Sequence, residues 1–175
     1  MNGTEHSDSI HETLVAYGAP LVSWKPVRHM SLEQALVHGL GLSHGHPALF
    51  RVLPLVLLRN AEALDWERLR ALARDASVAA ELGLMVELTA KAVGRPELMH
   101  GVSALRLPPD GALRFFHEPR SEFGRELVRQ RTPPVAKRWG FWLDMSEDSV
   151  RALVQKHGAW RRGTQYCLSQ QLRDS

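Results

Sequence analysis

Ser77-Val-Ala-Ala-Glu-Leu-Gly-Leu-Met-Val-Glu-Leu-Thr-Ala-Lys-Ala-Val93 is the stretch that decides the fold. Val78, Leu82, Met85, Val86, Thr89 and Val93 recur at the i, i+3, i+4, i+7 spacing of one helix face. Gly94 follows as a C-terminal stop, and Pro96 can open a further helix through Leu105. A segment this apolar needs neighbours to cover it, and the residues before it supply them.

Upstream, Ser31-Leu-Glu-Gln34 has the capping-box pattern, and Leu32, Ala35, Leu36 and Leu40 follow at helical spacing. Ser43–His46 reads as a loop, and Pro47 suits the first position of a helix to Asn60 that Pro54 should kink or split. Asp65 caps a helix whose inward stripe is Trp66, Leu69, Leu72 and Ala73. Residues 31–106 therefore predict about five helices joined by short loops.

Downstream the pattern is looser. Pro109-Asp-Gly111 between apolar runs predicts a short β-hairpin. Ser121 caps a helix to Arg131 with Phe123 and Leu127 inward, and Arg138-Trp-Gly-Phe-Trp-Leu143 suits an extended segment. Ser146 caps a last helix to His157, with Val150, Leu153 and Val154 inward and charges at both ends that complement the helix dipole. The expectation is a mainly α, single-domain bundle of about seven helices over residues 30–158. Residues 1–29 form an arm that docks or frays, with two helical turns over Ser9–Tyr17, and 159–175 form a polar basic tail.

Composition sets limits. A chain of 175 residues with 44% apolar and 23% charged residues has globular proportions. The lone Cys167 reads as a free surface thiol in a reducing compartment. The longest apolar run, Leu53–Leu58, is far below the ~20 residues of a membrane span, and no leader pattern is visible, so a cytoplasmic protein without a membrane partner is expected.

Charge is distributed unevenly. Residues 1–100 hold nine Lys/Arg against eleven Asp/Glu (net −2), and residues 101–175 hold thirteen against eight (net +5). Arg125, Arg129, Arg131, Lys137 and Arg138, with Arg151, Lys156, Arg161 and Arg162, are the candidate binding residues for a protein or nucleic-acid partner. Trp139, Phe141, Trp142 and Trp160 could stack on bases or seal the core, and Glu122 and Glu126 can pair with Arg125 and Arg129.

Two other constellations carry chemistry. His38, His44 and His46 lie within nine residues and are candidate metal ligands, although no Cys or Asp accompanies them. Arg95-Pro-Glu-Leu-Met-His100 resembles the Arg-x4–6-His motif of HEPN ribonucleases. That resemblance implies an all-α RNase in which Arg95 and His100 act on the RNA phosphate; Pro96 stands where the family carries a polar residue. No nucleophile elbow, Walker loop or dinucleotide fingerprint is present, and no cofactor is implied.

The blocks Ala48–Asn60, Leu64–Leu69 and Glu81–Thr89, with Arg138–Phe141 and Asp144–Val150, resemble small helical bacterial proteins encoded beside toxin–antitoxin genes. The resemblance covers about half the chain and implies a helical fold without catalytic residues to carry over. The resulting expectation is a non-enzymatic regulatory protein of the antitoxin or immunity kind, with a HEPN-like nuclease as the alternative. Oligomeric state is left open.

Overall fold

The computed structural model describes residues 3–21, 23, 27, 29–105 and 113–158. The chain is mainly α, as the patterning predicts. In order the elements are α1 (Gly3–Ala16), α2 (Leu32–Ser43), α3 (Pro47–Asn60), α4 (Trp66–Asp75), α5 (Ala79–Val93), a 3-10 helix (Pro96–Gly101), β1 (Arg114–Phe115), α6 (Glu122–Arg131), α7 (Pro134–Arg138), β2 (Phe141–Trp142) and α8 (Glu147–Gly158).

α5 is the axis of the molecule. The expected stripe is buried except for the half-buried Val93, and so is every residue from Glu81 to Ala90, Leu84 and Leu88 among them. Helices α2, α3, α4, α7 and α8 and the 3-10 helix all pack against it. A helix enclosed on all sides needs apolar residues all round, which is why Leu84 and Leu88 complete the stripe.

The predicted caps are in place. Ser31 and Gln34 make the reciprocal capping box of α2. Asp65 accepts from the Arg68 amide at 2.9 Å, and Ser121 and Ser146 do the same for α6 and α8. Each satisfies an amide that the first turn leaves unpaired. Helix α3 runs unbroken through Pro54, which is itself buried, so it does not split there.

The N-terminal arm docks, one of its two expected outcomes: Ile10, Thr13 and Leu14 of α1 are buried, and Thr13 Oγ1 accepts from the His29 amide. Two other expectations are corrected. The segment after Pro96 is a 3-10 helix ending at Gly101 rather than an α-helix to Leu105. Arg70 and Arg74 of α4 donate to the Gly101 and Ala104 carbonyls, and the Trp66 ring lies where a Gly101 side chain would stand.

Among the described residues the strands form a parallel pair. Arg114 is in register with Phe141 and Phe115 with Trp142, the crossover being α6 and α7. The expected Pro109–Gly111 turn lies outside the described residues. Finally, Phe123 is 79% exposed and α6 buries none of its residues. That helix is held on the surface by its cap and a ladder of ion pairs, with Leu127 only half-buried. The basic tail 159–175 lies outside the described residues.

Gly83 is the tightest contact in the core. A Cβ there would stand 2.1 Å from the Trp139 ring, which lies flush on α5. Gly83→Ala should therefore destabilise the protein by about 1–3 kcal/mol through overpacking, despite alanine's better helix propensity. Phe123→Ser should stay within about 0.5 kcal/mol of the parent. Urea unfolding midpoints of the two variants check both outcomes.

Candidate functional site

The sequence places two glutamates, six apart, on α5, Glu81 in its first turn and Glu87 near its middle, and both are buried. A buried carboxylate is costly unless charged or polar donors meet it. Glu81 Oε1 accepts from His44 Nε2 at 2.9 Å and from Arg114 Nη2 at 2.6 Å. Glu87 accepts from Trp139 Nε1 at 2.8 Å and from the Arg138 guanidinium, with Lys91 Nζ 3.7 Å away. Gly83 and Glu87 lie one helical turn apart, so one face of α5 seats the Trp139 ring and receives its N–H.

The remaining candidate binding residues divide sharply. Arg125 pairs with Glu118 (2.9 Å) and Glu122 (3.2 Å), and Arg129 with Glu122 (3.2 Å) and Glu126 (3.6 Å). Arg131 reaches Asp144 at 3.5 Å, and Arg151 pairs with Asp148 while donating to the Ala92 carbonyl. Lys137 lies 5.5 Å over the Trp142 ring. Lys156 has no ion pair among the described residues. Arg161 and Arg162, like Trp160, lie outside the described residues. Trp139 and Phe141 are buried and seal the core rather than presenting faces for bases.

Lys156 leads to a groove that no sequence motif marks. Two adjoining cavities, of about 280 and 380 Å³, share Arg51, Asp144 and Met145. The first lies between Phe50 of α3, the His117–Pro119 strap, Val128 of α6 and Trp142. The second runs along α8 past Ser149, Leu153 and Lys156. Leu153, expected inward, is half-buried on this wall. Arg51 carries no ion pair among the described residues, so the groove has an apolar floor with two unpaired cations on its rim.

His117 forms the groove's inner corner. Its Nδ1 donates to the His44 carbonyl at 2.8 Å. Burial pushes the His117 ring below its ordinary 6.5; the bond to the carbonyl opposes this, and the charges of His44 and Arg51 add to it.

His44 spends both ring nitrogens on Glu81 and the Phe116 carbonyl, while His38 and His46 are exposed. Among the described residues no three His, Cys, Asp or Glu side chains converge as a metal site. Arg95 stands before the 3-10 helix and is paired with Glu97 at 2.6 Å, a bond that holds the Glu97 carboxyl below its ordinary value. Arg95 lines a pocket with Leu58–Ala63 that does not include His100, which is exposed. Among the described residues no helix is long and apolar enough to cross a membrane.

Neither a family model, nor a curated protein, nor a solved structure matches the chain.

The depressed His117 ring makes stability depend on pH. The unfolded chain takes up this proton more readily than the folded one, so the contribution is complete above about pH 6.5 and is lost as pH falls through the lower folded value. The urea midpoint should drop between pH 7.5 and 5.5, and His117→Gln should flatten that drop.

Proposed function

We propose that this chain is a non-enzymatic binding protein that takes an acidic, partly apolar segment of a protein partner in the groove between α3 and α8. One observation carries the reading. Among the described residues Arg114, Arg125, Arg129, Arg131, Arg138 and Arg151 are paired with carboxylates, whereas Arg51 and Lys156, on the groove rim, are not. An anion binding there displaces no internal partner, whereas phosphates along α6 would have to compete with Glu118, Glu122 and Glu126. The apolar floor of Phe50, Val128, Met145 and Leu153 favours peptide side chains over a sugar–phosphate backbone. In this reading the protein is regulatory, of the antitoxin or immunity kind, and masks its partner rather than transforming a substrate.

A fluorescent peptide of alternating Glu and Leu residues tests this by anisotropy. It should bind, weaken with salt, and lose about tenfold in affinity with Arg51→Glu or Lys156→Glu. Equal binding of a Lys/Leu peptide, or indifference to both reversals, would contradict the proposal. Binding confined to a DNA or RNA duplex, with a steep salt dependence, would replace it with a nucleic-acid partner.

A further inference from the structure

We infer that the groove receives helix α6 of a second copy of this chain, so that two copies associate reciprocally, each laying Glu122, Phe123 and Glu126 in the other's groove. This names the partner of the groove proposed above and rests on that reading.

Helix α6 has the composition that the groove selects. It buries none of its residues, and Phe123 is 79% exposed. Glu122 and Glu126 stand one turn apart, and Phe123 and Leu127 follow each of them by one residue. An acidic stripe therefore runs beside an apolar one. Glu122, Phe123 and Glu126 are exposed, and Leu127 is half-buried. Arg125 and Arg129 lean towards the body of the molecule: Arg125 reaches Glu118 on the strap, and the Arg129 guanidinium lies 5.5 Å over the Phe115 ring. The outward face of α6 is left with carboxylates around a phenyl ring.

The groove supplies the complement. Its floor is Phe50, Val128, Met145 and Leu153, and its rim carries Arg51 and Lys156. The acids that line it, Glu118 and Asp144, are paired with Arg125 and Arg131, so they do not neutralise the rim cations. An incoming glutamate keeps its own arginines. Glu122 meets Arg129 through Oε1 and Arg125 through Oε2, and each oxygen has a second lone pair for a cation of the other copy.

Position makes the contact mutual. Val128 of α6 and Pro119 just before it line the groove, whereas Phe123 points into solvent from the same helix. The offered face and the receiving groove are thus neighbours on one molecule. A two-fold axis beside α6 carries each helix over the other copy's groove, and the same contact is made twice. An amphipathic helix whose apolar edge lies along an apolar floor is a recurring mode of recognition.

Sedimentation velocity of the full chain, from about 1 to 100 µM, tests this. The mass should rise with concentration from that of one chain towards that of two. Phe123→Ser and Lys156→Glu should each weaken association about tenfold. Charge reversal then tests which surfaces meet. A chain with Arg51→Glu and Lys156→Glu should be monomeric alone, as should one with Glu122→Lys and Glu126→Lys. Mixed, they should form a dimer, because each groove again faces a helix of opposite charge. The Glu/Leu peptide should dissociate the wild-type dimer. A wild-type chain that stays monomeric throughout overturns the inference, as does association indifferent to Phe123→Ser and Lys156→Glu. If the Glu122→Lys, Glu126→Lys chain does not fold, the wild-type mass and the two single variants decide. Peptide binding by a chain that stays monomeric keeps the groove reading and rejects the second copy. A chain that associates through Phe123 but binds no peptide, and is indifferent to groove reversal, rejects both.

Discussion

Two carboxylates on α5 are removed from water, and donors from distant segments meet three of their four oxygens, Glu81 Oε2 having no hydrogen-bond partner among the described residues. An unpaired buried carboxylate costs several kcal/mol, so the fold closes only if donors from distant segments arrive with the right geometry. Glu81 draws in His44 from the loop after α2 and Arg114 from β1. Glu87 draws in Arg138 and Trp139 from the end of α7. Between them Gly83 leaves the space in which the Trp139 ring lies against the helix. Strands β1 and β2, which pair in parallel, both adjoin donors bound to this helix.

The same constraint reshapes the meaning of the basic half. A net of +5 over residues 101–175 looks like a surface prepared for polyanions. In the folded chain Arg114 and Arg138 are spent on the core acids, and Arg125, Arg129, Arg131 and Arg151 on surface carboxylates. What is left facing a concave, apolar surface is a pair of cations from elements far apart in sequence, Arg51 and Lys156. In the proposed binding mode, specificity comes from a local arrangement of charge on a shaped floor rather than from total charge.

Local signals were legible in the sequence. The caps at Ser31, Asp65, Ser121 and Ser146 and the five helical segments of residues 31–106 all rest on interactions within a few residues. Long-range ones were not. The burial of Glu81 and Glu87 has no local signal, because the donors that meet them, His44, Arg114, Arg138 and Trp139, lie more than 30 residues away. Phe123 looks like a core residue because periodicity says which side of α6 is apolar, not whether anything covers it. Arg51 interrupts an apolar run and His117 belongs to no motif, so only the packing of α3, α8 and the strap brings them to one groove. The three histidines of residues 38–46 read as a metal-like group, yet the informative partner of His44 is His117, 73 residues on.

Amide hydrogen exchange on the Glu81→Gln, Glu87→Gln double variant measures the central dependence most directly. With both negative charges removed, the Arg114, Phe116 and Trp139 amides should exchange at least about tenfold faster, while those of Leu36 and Leu53 in α2 and α3 keep their protection. Unchanged exchange at β1 and Trp139, or a loss spread evenly over α2 and α3, would contradict the account that these two glutamates hold the second half of the chain in place.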